Sequence, residues 1–318
     1  NLLMSKLVKS DTKNSKNSKK LILLDAHAII HRAYHALPDF QNSAGVPTGA
    51  LYGIATMLVK IINELKPDYL VACYDRAEAT FRKQIYDDYK AGRAKTDDNL
   101  VKQLESSREL FTSFNIPIYD LAGFEADDMI GTIVEQLKKQ KDTQIIIASG
   151  DMDTLQLVDD EKVVVYTLKK GINDTILYDE QKVLERFNFK PELLPDWKGL
   201  RGDPRANIIG IAGIGEKTAT ILVTKFGRLE EIYKKLKDKK VVQENFKIFK
   251  EAGLPDRIIK LLKDGEEEAI FSKTLATIRR DAGIKFIWPE KVWRESVDLE
   301  KVDELFKKLE FRTLGTRV

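Results

Sequence analysis

The chain has 318 residues, of which 43% are hydrophobic and 32% are charged, and its formal net charge is +3 at pH 7. This length allows one large or two moderate domains with real cores, and the composition excludes a disordered or fibrous protein. Its apolar runs are far shorter than the roughly 18 residues of a membrane helix, and one cysteine, Cys73, excludes a disulfide framework. We therefore expect a cytoplasmic protein with no membrane partner.

The predicted elements alternate between strands and helices in the first part of the chain. A polar tail over residues 1–20, expected to be disordered, is followed by strands at 21–24, 69–74 and 145–148 and by helices at 49–65 and 125–138. Such alternation predicts an α/β fold with a mostly parallel central sheet flanked by helices. From about Pro191 the sequence is helical and rich in lysine, so we expect a core over 21–190 and a helical subdomain over 191–318.

Acidic residues follow each predicted strand. Asp25, Asp75 and Asp151 come directly after or close behind the three apolar runs, and Asp153 lies two residues further on. Because the carboxyl ends of parallel strands open into one crevice, these side chains should converge. The helix start at 125–128 (EADD) adds three more acids. For any single residue, capping of a helix or turn explains an acid equally well, but the repetition favours a site.

Crowded carboxylates require either raised pKa values or bound cations. Oxygen ligands without Cys and with little His favour Mg²⁺ or Mn²⁺ over zinc, and two such ions about 4 Å apart support hydrolysis of phosphodiesters. His27, His31 and His35 lie four residues apart and could hold a transition metal, although a place near DNA or partial burial is the commoner role of such histidines.

A glycine cluster at residues 210–215 indicates a phosphate contact. Gly213 and Gly215 let backbone N–H groups approach a phosphate, and Lys217 follows at the start of a predicted helix. A nucleotide-binding P-loop is the alternative, but GxxxxGK[ST] does not fit the spacing here.

Six segments, taken in order, resemble the 5′–3′ exonuclease domain of bacterial DNA polymerase I, within the flap endonuclease superfamily. They are DAHAIIHRAYHALP (25–38), VPTGALYG (46–53), TFRKQIYDDYKAGR (80–93), GFEADDMIGT (123–132), SGDMDTLQLV (149–158) and GIAGIGEKTA (210–219). The resemblance runs from about residue 21 to the end and implies a PIN-like 5′-nuclease core.

The resemblance also implies particular site residues. The first-metal acids would be Asp25, Asp75, Glu125, Asp127 and Asp128, and the second-metal acids Asp151, Asp153 and Asp203. A helical arch at about 76–104 would pass a 5′ single strand, with Arg82 and Lys83 as catalytic cations at the phosphate. DNA-binding residues would be Arg32, Tyr86 (or Tyr89), Lys90 and Arg93, with Gly213, Gly215, Lys217 and Thr218 in a helix-hairpin-helix at about 208–226.

The implied activity is 5′–3′ exonuclease and flap endonuclease cleavage of DNA at flaps, nicks and single-strand/duplex junctions, for primer removal and repair. The resemblance further implies two Mg²⁺ or Mn²⁺ ions, a K⁺ ion at the hairpin, and a polymerase region following the domain in the native protein. We expect a monomer in the bacterial cytoplasm, near the nucleoid.

One departure from the family pattern affects the second metal. The family has a sequence close to GDxSDNIPG, whereas residues 202–210 read GDPRANIIG, so Ala206 stands where a metal-binding aspartate is expected. We expect cleavage to be impaired and DNA binding to survive. Ala206 motivates one alternative, a DNA-junction binding module without catalysis. A third class, independent of Ala206, is an RNA-processing nuclease of the broader acidic-site type that does not need the hairpin.

Overall fold

The structure, a computed structural model, describes residues 18–170, 174–237, 242–311 and 314. Residues 1–17 of the expected tail lie outside these ranges. The end of that tail was predicted wrongly, because Lys19 and Lys20 already pair with Thr143 and Gln144 in the central sheet. Within the described residues, no helix is both long and apolar enough to cross a bilayer.

Six strands form one mixed sheet. They are β1 (Lys19–Asp25), β2 (Tyr69–Cys73), β3 (Ile118–Tyr119), β4 (Thr143–Ala148), β5 (Val163–Lys170) and β6 (Asp174–Tyr178). Their order is β3-β2-β1-β4-β5-β6; all neighbours are parallel except β5 and β6, which are antiparallel. The predicted mostly parallel α/β sheet is confirmed.

Fourteen α-helices connect and cover the sheet in the described part of the chain. The first seven are α1 (Ala26–Ala36), α2 (Gly49–Leu65), α3 (Phe81–Ile85), α4 (Asp98–Ser113), α5 (Ala126–Leu137), α6 (Glu180–Phe187) and α7 (Leu194–Arg201). The others are α8 (Glu216–Phe226), α9 (Leu229–Lys237), α10 (Val242–Glu251), α11 (Asp256–Asp264), α12 (Glu266–Ala276), α13 (Trp293–Ser296) and α14 (Leu299–Lys308). Short 3₁₀ helices occupy Met152–Leu157, Pro191–Leu193 and Pro204–Ala206.

The strands are buried on both faces, as their continuous apolar sequences predict. On β1, Leu21 and Leu23 belong to a core that includes α5 and helices of the C-terminal half, whereas Ile22 and Leu24 belong to a core with α1, α2, α4 and α14. Alternate residues of a strand point to opposite faces, which is why one strand supports both cores.

The C-terminal segment does not stay with the helical subdomain expected over 191–318. Trp293, Phe306 and Phe311 are buried in the same core as α1, α2 and α4. The indole N–H of Trp293 donates to the carbonyl of Phe114 at 2.7 Å. The physical reason is an apolar face of the sheet that α1, α2 and α4 share with α14.

The expected helical arch is only partly helical. Between residues 76 and 104 the structure has the five-residue helix α3, turns over 87–92 and the start of α4. Lys90 has a positive φ of 56°, which interrupts any continuous helix there.

Candidate active site

A cleft of about 850 Å³ opens beside the carboxyl ends of β1 and β4. The strand order reverses between these two strands, and ligands of open α/β sheets bind at such switch points. Its acidic lining residues are Glu125, Asp127, Asp151, Asp153, Asp203 and Glu216. Its basic ones are Arg32, Arg82, Lys90, Arg93, Arg186, Lys198, Arg201 and Arg205. We call this space the acidic cleft.

Asp25 ends β1 and caps α1. One carboxylate oxygen accepts from the backbone N–H of Ala28 at 3.0 Å, and the other accepts from the Ser149 hydroxyl at 2.6 Å. Burial, opposed by these hydrogen bonds and reinforced by Asp75 and Asp151, raises the pKa of Asp25 to about 7. Ser149 was not identified from the sequence, although its place directly after β4, as the first residue of the SGD segment, was a usable signal.

Asp75 follows β2 and accepts from the backbone N–H of Ala126 at 2.6 Å, while its own N–H donates to Nδ1 of His27 at 3.2 Å. Asp127, in the first turn of α5, has a fully enclosed Oδ1 without a hydrogen-bond partner. Burial and then the charges of Asp25 and Asp151 raise the pKa of Asp127 well above its usual range. The acids expected from strand ends therefore do come together.

Asp128 is fully buried and committed to protein partners. Arg82 binds it through two N–H···O bonds of 2.8 Å, and the backbone N–H groups of Glu125 and Arg279 donate to it at 3.0 and 2.9 Å. This differs from the metal-ligand role expected for Asp128, because both of its oxygens already accept two hydrogen bonds each.

Arg82 also differs from expectation. It is 2% exposed, and it donates to the carbonyls of Leu275 and Thr277 at 2.9 and 2.8 Å as well as to Asp128. Burial alone would lower the pKa of its guanidinium, but Asp128 and Glu125 raise it. Arg82 thus joins α3 to α5 and to the end of α12, and it also lines the acidic cleft.

The other residues of the expected arch separate into two groups. Lys90 donates to Glu125 at 2.6 Å and, with Arg93, lines the acidic cleft. Lys83 instead contacts the carbonyl of Asp87, and Tyr86 packs edge-on against Phe271 with ring centres 5.6 Å apart. Lys83 and Tyr86 are absent from the cleft wall as described, because α3 turns them toward neighbouring protein groups. Tyr89 is buried, with its hydroxyl 3.3 Å from Glu125.

The expected second-metal acids surround an ammonium group. Lys198 donates to Asp153 and, at 2.5 Å, to Asp203. Asp151 caps the following 3₁₀ helix by accepting from the backbone N–H of Asp153 at 2.9 Å. Ala206 is buried among Tyr89, Ile208, Leu275 and Ala276. Lys198 was missed from the sequence; its position five residues before Asp203 was the available signal.

The donor set of the cleft fits a hard cation, but the side chains are not grouped for one as they stand. In the described parts of the chain, no three His, Cys, Asp or Glu side chains are placed to hold a metal ion together. The unpartnered oxygen of Asp127 and the raised pKa values of Asp25 and Asp127 nevertheless mark carboxylates that lack a compensating charge. A divalent cation would supply that charge.

The glycine hairpin lies between α7 and α8. Gly213 has a φ of +88°, as a tight turn requires, and Gly215 precedes α8 with open space where a side chain would be. Lys217 is exposed and Thr218 half-buried in the first turn of α8. Gly213, Gly215, Lys217 and Thr218 do not line the acidic cleft as described, but Glu216 between them does, so the hairpin adjoins the edge of the cleft.

Two family models match consecutive parts of the sequence. The 5′-3′ exonuclease, N-terminal resolvase-like domain matches residues 20–188, and the 5′-3′ exonuclease, C-terminal SAM fold matches residues 189–298. The chain belongs to the 5′–3′ exonuclease family. The resemblance inferred from the sequence motifs is therefore confirmed.

Relatives of this exonuclease-family chain include DNA polymerase I of Bacillus caldotenax, which is 37% identical over 295 residues covering 93% of this chain and 32% of that protein. DNA polymerase I of Bacillus subtilis (strain 168) is 35% identical over 308 residues, covering 94% and 32%. The exonuclease-family chain spans about a third of the length of these curated relatives.

Solved structures share the fold. T5 5′-exonuclease with bound divalent metal ions (zinc) has a TM-score of 0.64 at 20% identity, covering 92% of this chain and 98% of that one. The catalytic core of Rad2 in complex with DNA substrate has a TM-score of 0.51 at 17% identity, covering 93% and 90%. At these identities the likeness establishes the architecture of the exonuclease-family chain.

Proposed function

We propose that this chain is a structure-specific 5′ nuclease that hydrolyses DNA phosphodiesters at single-strand/duplex junctions, for primer removal and repair. The observation that carries the proposal is the enclosed, unpartnered oxygen of Asp127 at the switch point of the sheet. It lies among carboxylates whose charges act on one another, which is unfavourable unless a cation is bound.

Mg²⁺ or Mn²⁺ is the proposed cofactor, and Asp25, Asp75, Asp127 and Asp151 would hold it. When bound, the ion supplies Lewis acidity that activates water for attack on phosphorus. Glu125 would take part through its contact with Lys90, and Asp128 through the orientation of α5. The T5 5′-exonuclease, a fold neighbour, carries divalent ions, which supports this assignment.

Lys90, Arg93 and Arg32 are the proposed contacts for the 5′ strand. All three line the acidic cleft, where cations attract the phosphate backbone without reading its sequence. Lys83 and Tyr86 are turned away from the cleft, so we assign them no direct contact with the strand. His31 and His35 also line the wall, consistent with a surface next to DNA rather than a metal site.

The glycine hairpin is the proposed duplex contact. Gly213 and Gly215 allow close approach of a phosphate, while Lys217 and Thr218 begin α8, whose N-terminal end favours negative charge. A K⁺ ion between the hairpin carbonyls and the DNA belongs to the same proposal. Rad2 in its complex with DNA substrate shares the fold, which supports DNA as the partner.

A labelled 5′-flap duplex tests the proposal directly. With Mg²⁺, and separately with Mn²⁺, we expect product near the junction, and Asp127→Asn should reduce the rate by more than about 100-fold because even indirect metal contacts matter 10- to 100-fold. Binding measured in Ca²⁺ should be retained by the variant. Equal cleavage by Asp127→Asn would contradict the assignment of this site.

A DNA-junction binding module remains a second candidate because Ala206 supplies no carboxylate. Tight flap binding without product in either metal would favour it. An RNA-processing nuclease would instead cut RNA flaps equally well when the hairpin is altered at Gly215. The flap assay on both nucleic acids separates the three functions.

The native context is part of the proposal. Because the chain spans 32% of its DNA polymerase I relative, a polymerase region is expected to follow it in the full protein. A monomer in the bacterial cytoplasm, near the nucleoid, is the expected form. Size-exclusion chromatography with light scattering would test the monomer.

A further inference from the structure

Lys198 is placed where a second cation would be needed. Its ammonium group contacts Asp153 and lies 2.5 Å from Asp203, and its side chain is 8% exposed. The residue is in α7, one turn before the chain enters the Asp203 loop. A buried ammonium between two carboxylates is a fixed positive charge in the wall of the acidic cleft.

Lys198 compensates the charge of Asp203, but only partly that of Asp153, whose pKa burial and Asp151 raise to about 6. Burial would raise the pKa of Asp203, but the charge and hydrogen bond of Lys198 and the backbone N–H of Arg205 lower it. Arg201 contributes in the same direction. A divalent ion at this position would have to displace Lys198 and would meet further positive charge from Arg201 and Arg205.

The residue at position 206 supplies no side-chain ligand for a metal ion. Ala206 is 5% exposed and packs in a small apolar cluster with Tyr89, Ile208 and Leu275. Its carbonyl accepts the backbone N–H of Lys90 at 2.9 Å and its N–H donates to Asp203. Both backbone groups and the methyl group are therefore occupied by protein contacts.

Asp127, by contrast, is surrounded by negative charge. The charges that act most on Asp127 are all carboxylates, namely Asp25, Asp151, Glu125 and Asp153. Asp25 thus accepts from Ala28 and Ser149 and Asp127 has an oxygen without a partner, whereas Asp153 and Asp203 share the ammonium of Lys198. This asymmetry does not fit two equivalent metal positions.

We propose that the ammonium of Lys198 takes the place of the second metal, so that the chain holds a single divalent cation, at Asp25, Asp75, Asp127 and Asp151. This inference rests on the proposed function. It makes Lys198 the group that supplies positive charge beside the phosphate where a two-metal enzyme uses an ion.

Counting bound Mn²⁺ by electron paramagnetic resonance of the free ion tests the inference without DNA or activity. The full chain should bind one Mn²⁺. Lys198→Gln combined with Ala206→Asp should bind two, the second at least about 10-fold tighter than in Lys198→Gln alone, because a carboxylate is added. Ala206→Asp alone and Lys198→Arg should still bind one, since each keeps the cation.

A matched control is Lys234→Gln, which removes an exposed lysine of α9 and should leave one Mn²⁺. Two ions bound by the unaltered chain would overturn the inference and leave the proposed nuclease function standing. No bound ion would overturn both. If Lys198→Gln fails to fold, the unaltered chain, Lys198→Arg and Ala206→Asp still decide between one ion and two.

Discussion

Arg82 stabilises the floor of the acidic cleft. It lies almost wholly out of solvent, binds Asp128 through two N–H groups and reaches the carbonyls of Leu275 and Thr277. Because the guanidinium is planar, its donors can satisfy a carboxylate and two carbonyls at once. The orientation of α5, and with it of Asp127, therefore depends on this residue.

We predict that Arg82→Met lowers the free energy of unfolding by about 3–5 kcal/mol, because Asp128 would remain buried without its partner. Arg82→Lys should also destabilise, since one ammonium cannot replace the fork of donors. Urea unfolding measures both. Arg93→Met, at an exposed position of the cleft, is the control and should change stability by no more than about 0.5 kcal/mol. Full stability of Arg82→Met with lost cleavage would instead support a phosphate contact.

Asp25 should make the metal-free protein less stable as pH rises. Its pKa is raised from 3.8 to about 7 by burial, so the folded protein holds this proton more tightly than the unfolded chain. The stabilising contribution is full below about pH 4 and is lost as the pH rises through about 7. His27 and His31, whose pKa values burial lowers, act in the opposite direction.

The contribution of Asp25 is therefore measured against Asp25→Asn, in which the histidine contributions remain. With chelator present, the stability of the unaltered chain relative to Asp25→Asn should fall between pH 4 and 8. Added Mn²⁺ should reverse the fall at pH 8, because the ion favours the ionised carboxylate. A difference that is constant with pH would contradict the raised pKa.

At this scale, the sequence predicted which acids converge but not which cations neutralise them. Asp25, Asp75 and Asp151 were expected together because strand ends converge. Arg82 and Lys198 bond to acids 46 and 45 residues away in the chain, a pairing that no local pattern encodes. The departure at Ala206 was visible in the sequence, whereas the bonding of Lys198 to both Asp153 and Asp203 is seen only in the structure.

Helices and strands form where they were predicted when the local sequence has a strong hydrophobic or capping pattern. The helix predicted over 49–65 is α2, and the acid predicted at the start of α5 is Glu125, which forms a capping box with Asp128. The strands β3, β5 and β6 were not predicted. Two residues at a sheet edge (β3) or five partly exposed ones (β6) carry little apolar pattern, whereas β5 begins with the apolar run VVVY, which was a usable signal. The arch at about 76–104 was predicted as helical, but turns over 87–92 separate the short helix α3 from the start of α4.

The glycine hairpin gives a prediction that separates folding from DNA binding. Gly215→Asp should keep or raise the melting temperature, because aspartate is a favourable N-cap for α8 and open space surrounds the position. The same change should weaken duplex binding by at least about 10-fold, since a carboxylate would meet the phosphate. Fluorescence anisotropy in Ca²⁺ measures the binding.

Gly283→Asp is the matched control for this variant. Gly283 is exposed, its added side chain would make only an ordinary contact with Leu121, and it adds the same charge. Binding should be nearly unchanged. If the two variants lose equal affinity, the effect is one of net charge and the hairpin is not the duplex contact.

In the whole molecule, the division predicted at residue 191 stays a prediction, and the structure adds that the last helices return to the sheet. The segment 282–293 crosses the β3 edge of the sheet, where Phe286 packs on Tyr119 and Trp288 on Tyr69 with ring centres 6.1 and 4.8 Å apart. Trp293 and α14 then close the opposite face. The change to helical sequence marked where the strands end, but it carried no information about the return of the last helices to the sheet.

We therefore predict that Trp293→Ala destabilises the α1, α2 and α4 side of the core, by about 3–5 kcal/mol. Trp293 is 3% exposed and bonds to Phe114, whereas the half-buried Trp288 serves as a control of the same residue type whose loss should cost less. Hydrogen exchange with mass spectrometry locates the effect. Faster exchange should appear in α2 and α4 before it appears in α8 and α11, because Trp293 packs in the core that contains the first pair. Faster exchange confined to α8–α12 would mean that residues 191–318 unfold as one independent unit. The boundary predicted at residue 191 would then describe the folding units better than the packing of Trp293 against α1, α2 and α4 does.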